Sequence, residues 1–329
     1  MKQILNNLFE YKTLSQAQAR EVLFNIASEK YNSSQVAAFM SVYLMRSITL
    51  EELSGFRDAM LDLCLKTKFD TDETIDIVGT GGDGKDTFNI STLACFVVAG
   101  AGIKVTKHGN YGVSSISGSS NVLEAIGYKF TSDRDTLQVQ LDKSGICFLH
   151  APLFHPAMKS VAPIRKELGV RTFFNMLGPI VNPCLPKYQL LGVYNLEMAR
   201  LYNYLLQNTS IKYSIVHSLD GYDEVSLTSD FKLITKEKEQ IIEPATIGFN
   251  KLKQEELLGG STVETAAKLF MSVLNNEGTV AQNDAVCVNA AVAIKCVFPN
   301  KSFAECIAQA NESLFSKKAL NVYKSLINN

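Results

Sequence analysis

Residues 1–70 carry apolar positions at helical spacing and read as helices only. Three capping-box patterns open these helices: Ser15-x-x-Gln18, Asn32-x-x-Gln35, where Asn stands in for Ser or Thr, and Thr49-x-x-Glu52. In such a box the cap side chain and the third helical residue each satisfy the other's backbone N–H. In the second helix Val36, Phe39, Met40, Tyr43 and Leu44 form one apolar stripe, which predicts a core face or a subunit contact.

Past residues 71–74 the period changes. Residues 75–78 predict a short strand, and a run rich in Gly and small polar residues follows. Residues 92–101 predict a helix, 103–106 a strand, 121–127 the start of a helix and 145–149 a strand. Residues 156–168 predict a helix despite Pro163, 189–194 a strand, 196–207 a helix and 211–217 a strand. Such alternation implies a mostly parallel α/β sheet. The charged stretch 234–240 reads as a solvated hairpin or loop, and 262–275, 283–296 and 303–327 as closing helices. Residues 172–186, with Pro179, Pro183 and Pro186, predict a crossover. The expected fold class is α/β: a small helical domain over 1–72, with a contribution from about 168–190, and a larger α/β domain over 73–329 with a mostly parallel central sheet.

Composition narrows the function. In 329 residues, Lys+Arg 32 against Asp+Glu 33 gives a net charge of −1, which argues against a protein that coats nucleic acid. The longest unbroken apolar stretch, 93–103, is too short to span a bilayer. The N-terminus lacks the apolar core of a signal peptide. Seven cysteines with no C-x-x-C pair imply reduced thiols, so a cytoplasmic protein with no membrane partner is expected.

The densest chemical signal is Gly79-Thr80-Gly81-Gly82-Asp83-Gly84-Lys85-Asp86-Thr87-Phe88-Asn89-Ile90-Ser91-Thr92. Its glycines let the backbone turn sharply after a strand and approach a ligand closely. Asn89, Ser91 and Thr92 then open a helix, whose free N–H groups favour a phosphate or diphosphate. Neither dinucleotide-binding nor P-loop glycine spacing fits; the plainer alternative is a tight turn with a Ser/Thr cap. After the next strand come Lys107, His108, Gly109, Asn110, Tyr111, Gly112, Val113, Ser114 and Ser115. There Lys107 offers a mobile positive charge and Asn110 an amide, whereas His108 alone would be an ordinary structural histidine. Ser119 is a further ligand candidate, and Asn121-x-x-Glu124 reads as a plain helix cap. Asp223 and Glu224 would repel phosphates unless a divalent cation lay between them, although in isolation the dipeptide reads as an ordinary pair of surface acids. Arg165 falls on an expected helix, by spacing a solvated surface residue that could also fork onto a carboxylate.

Taken in this order, Gly-Thr-Gly-Gly-Asp at 79–83, Asn-Ile-Ser-Thr at 89–92, Lys-His-Gly-Asn at 107–110 and the run 171–183 resemble the anthranilate phosphoribosyltransferase family. The run 171–183 is similar to that family's hinge segment between its two domains, and the motifs span 75–228. The resemblance implies transfer of phosphoribosyl from 5-phosphoribosyl 1-diphosphate to anthranilate in tryptophan biosynthesis, with Mg²⁺ and commonly as a homodimer. It implies that Gly79, Gly82, Asp83, Thr87, Asn89, Ile90, Ser91 and Thr92 hold the sugar diphosphate. Lys107, His108, Gly109, Asn110, Tyr111, Gly112, Val113, Ser114, Ser115 and Ser119 would complete that site. Ser91, Asp223 and Glu224 would position Mg²⁺, and Gly79, Asn110 and Arg165 would contact anthranilate. Lys107 and the helix start at Ser91-Thr92 would neutralise the departing diphosphate, and His108 could assist proton removal. Two positions depart from the pattern: Tyr111, where Arg is usual, and Asn121, where Asp is frequent. The first half of the motif set is shared with pyrimidine nucleoside phosphorylases, the nearest rival reading. A paralogue that has lost catalysis and binds nucleic acid is the rival from another class, and the near-neutral charge speaks against it.

Overall fold

The computed structural model describes residues 1–112 and 117–328. The chain divides into two compact units, Met1–Thr67 with Ala151–Pro183, and Lys68–His150 with Cys184–Asn329.

The first unit is helical. Its first stretch forms helices Lys2–Phe9, Gln16–Ala27, Ser33–Met45 and Leu50–Leu63. All three expected capping boxes close in both directions, at Ser15/Gln18, Asn32/Gln35 and Thr49/Glu52. Val36, Phe39 and Met40 of the apolar stripe are buried, whereas Leu44 is 47% exposed. The returning stretch adds helices Ala151–Phe154, Met158–Leu168 and Phe174–Leu177. It is part of this unit's core, because Phe173 stacks on Phe56 at 4.6 Å and meets Phe39 and Tyr43 edge-on. The helix expected at 156–168 therefore belongs here and not to the α/β alternation, and the returning stretch begins ahead of the proline-rich segment. Gln16–Ala27 and Leu50–Leu63 touch backbone to backbone: a Cβ on Gly55 would lie 2.2 Å from the Gln16 carbonyl oxygen. Glu52, fully buried, binds the Arg46 guanidinium at 2.6 Å and accepts from the backbone N–H groups of Leu14 and Thr49 at 3.0 Å each.

The second unit is built on a seven-stranded sheet: β1 Ile75–Gly79, β2 Val105–Gly109, β3 Ile146–His150, β4 Tyr188–Gly192, β5 Lys212–Ser218, β6 Phe231–Thr235 and β7 Glu239–Ile242. The spatial order is β3-β2-β1-β4-β5-β6-β7, with β1 to β5 parallel and β6 and β7 antiparallel. The charged stretch makes the tip of the β6–β7 hairpin. Helices Ile90–Gly100 and Val280–Val297 are buried beside the sheet. The latter, 18 residues long, is long and apolar enough to cross a membrane, and it serves here as the core helix of the unit. The helix Arg134–Lys143 was not expected, and the stretch read as one helix at 303–327 is two, Phe303–Phe315 and Lys318–Ile327, parted by Lys317 at φ 63°. From β1 the chain winds outward through β2 to β3, then returns to β4 on β1's other flank. The carboxyl ends of β1 and β4 thus mark the topological switch point, where open α/β sheets collect ligands.

Candidate active site

Gly79 ends β1 and Gly192 ends β4, and Asp223 lies against both. A Cβ on Gly79 would stand 2.4 Å from Asp223 Oδ2, and one on Gly192 1.6 Å from the Asp223 carbonyl oxygen. The missing side chains make room for the acidic pair at the switch point. Asp223 Oδ2 accepts from the Gly81 N–H at 2.6 Å and the Thr80 hydroxyl at 3.5 Å, and Glu224 Oε1 from the Ser91 N–H at 2.8 Å. Between these anchors Gly81, Gly82 and Gly84 take φ values of 66°, 73° and 75°, which favour glycine. Asp83 Oδ1 accepts from the Lys85 N–H at 3.1 Å, and Lys85 lies over the Tyr222 ring. Beyond, Thr87 bridges to Leu258, and Phe88 N–H donates to the Leu257 carbonyl at 2.9 Å.

Asn89 caps Ile90–Gly100 by position only; its side chain donates to the Ser117 carbonyl at 3.0 Å. The plain Ser/Thr cap is therefore absent here, and the helix start meets Glu224. The side chains of Ile90 and Thr92 are buried in the core, so these two residues offer a ligand their backbone alone. Burial, followed by the nearby Asp83 charge, pushes the Asp223 carboxyl well above the usual range, and burial with Asp223 does the same to Glu224. Among the described residues no three His, Cys, Asp or Glu side chains form a cage for a metal. Two crowded carboxylates, with the Ser91 hydroxyl against Glu224, still offer hard oxygen donors. They fit a cation that takes its remaining ligands from water and phosphate, as Mg²⁺ does.

The end of β2 corrects one expectation, that of a mobile lysine. Lys107 is not mobile: it is 3% exposed, and its ammonium donates to the Ile77 carbonyl at 2.6 Å. His108 is buried as well, with its backbone N–H donating to Asp76 Oδ1 at 3.1 Å. Tyr111 donates its hydroxyl to Glu124 at 2.8 Å and sets its ring edge-on to His150, so it fastens a loop. Asn110 is exposed, and its carbonyl accepts from the Ser119 hydroxyl and the Ser120 N–H at 3.2 Å each. The helix Ser119–Ala125 is capped by Gly118, and Asn121 sits inside it. Its Oδ1 accepts from the Gly118 N–H at 3.0 Å and the Gly112 N–H at 2.9 Å, which ties two loop segments together. Val113, Ser114 and Ser115 lie outside the described residues. Asp76 was not anticipated, although one acid inside the apolar run Ile75-Asp76-Ile77-Val78 was a usable signal.

In the helical unit Arg165 is partly buried on Met158–Leu168, donating to Asn175 Oδ1 at 3.1 Å and lying 5.6 Å from the Phe174 ring centre. It has no ion pair among the described residues, and burial works against its charge. This is not the solvated arginine that spacing favoured.

Residues 71–320 match the glycosyl transferase family a/b domain, and residues 2–64 match that family's helical bundle domain. Over 329 residues the chain is 57% identical to the anthranilate phosphoribosyltransferase of Flavobacterium johnsoniae, across 99% of this chain and 98% of that protein. The chain belongs to the anthranilate phosphoribosyltransferase family. Its fold superposes on the anthranilate phosphoribosyltransferase of Thermus thermophilus with a TM-score of 0.91 at 31% identity, covering 98% of each chain. The anthranilate phosphoribosyltransferase of Saccharomyces cerevisiae in complex with PRPP and Mg gives 0.90 at 27% identity, covering 98% of this chain and 96% of that one.

Proposed function

We propose that this chain transfers the 5-phosphoribosyl group of 5-phosphoribosyl 1-diphosphate to the amine of anthranilate, releasing pyrophosphate, in tryptophan biosynthesis. The observation that carries the proposal is the binding of Asp223 to Gly81 and of Glu224 to Ser91, which sets two acids beside a glycine loop and a helix start. Gly79, Gly82, Asp83, Thr87, Asn89 and Ser91 hold the sugar diphosphate, with Ile90 and Thr92 adding backbone N–H groups. Gly109, Asn110, Gly112 and Ser119 complete its site. Asp223, Glu224 and Ser91 hold Mg²⁺, with Asp83 as the neighbouring acid; when bound, the ion supplies positive charge to the diphosphate oxygens. Gly79 and Asn110 border anthranilate, and Arg165 pairs with its carboxylate.

The bond that breaks is the anomeric C–O bond to diphosphate, and the amine supplies the attacking pair. The chain need provide no nucleophile; its work is orientation and stabilisation of the leaving group. The helix start at Ser91-Thr92 meets the growing negative charge with fixed N–H dipoles. The nitrogen sheds its proton to water once attached, so His108 has no required proton-transfer part. Lys107 acts from beneath the site as a positioning residue. We place the protein in the cytoplasm, without a nucleic-acid or membrane partner, as a homodimer.

The test is loss of anthranilate fluorescence on adding 5-phosphoribosyl 1-diphosphate, with and without Mg²⁺. Loss that needs both is the expected result. No loss from folded protein overturns the proposal, and phosphate-dependent release of thymine from thymidine would favour a phosphorylase instead.

A further inference from the structure

We propose that Asp76 and Lys107 are positioning residues that hold β1 and β2 open at their carboxyl ends, a reading that rests on the phosphoribosyl transfer above. In a parallel ladder the bonds are evenly spaced along both strands. β1 pairs with β4 over its full length, from Ile75↔Tyr188 to Gly79↔Gly192, and β2 with β3 from Val105↔Ile146 to Gly109↔His150. Between β1 and β2 the ladder stops after Ile75↔Val105. Were it to continue, Ile77 would oppose Lys107, and the His108 N–H would donate to the Ile77 carbonyl. Instead the His108 N–H donates to Asp76 Oδ1 at 3.1 Å, and the Ile77 carbonyl accepts from Lys107 Nζ at 2.6 Å.

Each half of the missing backbone bond has a side-chain substitute, one from each strand. Asp76, Lys107 and His108 are all buried. Without these substitutes a backbone donor and acceptor would be left unpaired away from water. Gly79 and Gly109, at the ends of these two strands, lead into the two loops that the proposed site uses. The pair of struts therefore sets the separation of those loops, because a side chain bridging each position spans a wider gap than a backbone bond does.

The experiment is steady-state kinetics on full-length Asp76→Ala and Asp76→Asn, varying each substrate in turn; Asn keeps an acceptor oxygen for the His108 N–H. D76A is expected to raise KM for 5-phosphoribosyl 1-diphosphate about tenfold or more and to leave KM for anthranilate within about twofold, with most of the loss recovered in D76N. An unchanged KM for the sugar diphosphate in D76A overturns the proposal, as does D76N as impaired as D76A. Should D76A not fold, amide hydrogen exchange decides: an amide oxygen accepts more weakly than a carboxyl oxygen, so the His108 N–H must exchange somewhat faster in D76N than in the parent even where activity is mostly kept, and equal rates overturn the proposal. A folded parent that consumes no anthranilate overturns the transferase reading instead, and the exchange measurement still judges the struts.

Discussion

At Gly192 one added methyl group would lie 1.6 Å from the Asp223 carbonyl oxygen, closer than any packing adjustment of a side chain can relieve. Gly192→Ala should displace the acidic pair and lower kcat/KM by about a hundredfold, read in the fluorescence assay with circular dichroism to show that the chain remains folded. Arg165→Ala should raise KM for anthranilate by about ten- to a hundredfold, the loss of a charge-assisted hydrogen bond, and leave KM for the sugar diphosphate nearly unchanged. Lysine there should not restore it, because the planar fork is lost; an unchanged KM for anthranilate in the Ala variant would remove Arg165 from the proposal. Single residues were legible where the outcome follows from type and neighbours, as with Gly81, Gly82 and Gly84, whose positive φ values make the sharp turn; the adjacent acids Asp223 and Glu224, which alone read as a surface pair, are buried instead. Single residues were illegible where the outcome depends on a partner strand. Nothing in Lys107-His108 tells that the lysine bends onto Ile77, because the backbone bond it replaces belongs to a ladder that only the pairing of β1 and β2 defines.

Elements were read best where their signals are local. The three capping boxes lie within four residues each and closed as expected. Thr49 and Glu52 share one box but differ in burial and partners. Thr49→Ala should cost about 1 kcal/mol, the ordinary loss of a cap. Glu52→Ala should cost about 3–5 kcal/mol, because it strands the Arg46 guanidinium and two backbone N–H groups in the interior. Urea unfolding of the two variants would check the contrast, and equal losses would count against a working Arg46–Glu52 pair. The helix Arg134–Lys143 escaped notice because Leu137 and Leu141 are its main buried apolar positions, yet Asp133 does accept from the Thr136 N–H at 2.8 Å as its cap. Asn121 misled for a related reason: its amide sits at the third helical position and serves Gly112 and Gly118.

For the whole molecule, the two-part α/β architecture followed from the change of hydrophobic period, but its partition did not. The stretch from Ala151 to Pro183 joins the helical unit through Phe173 on Phe56 and through the Ile180 carbonyl, which accepts from Arg57 Nε at 3.1 Å, contacts that no local pattern records, and it carries the buried His155. That histidine makes the molecule acid-sensitive. Burial pulls His155 from 6.5 to about 4. Between these pH values the unfolded chain takes up a proton that the folded chain refuses. Its contribution is therefore intact above pH 6.5 and falls away as the pH drops toward 4, by about 3 kcal/mol. Thermal unfolding at pH 7 and pH 4.5 should show a smaller acid drop in His155→Gln than in the parent, and equal drops would assign the acid loss elsewhere.

The division of the helical unit between two stretches of chain also governs the order in which a nascent chain can finish it. When Thr67 leaves the ribosome, Phe56 still lacks Phe173, and the missing piece is complete only at Pro183. At about 5–20 residues per second that interval is on the order of ten seconds, during which β1, β2 and β3 emerge first. The part that begins the chain can still mature before the α/β unit, which waits for residues 184–329, but until Pro183 emerges its half-made aromatic core stands open to a chaperone.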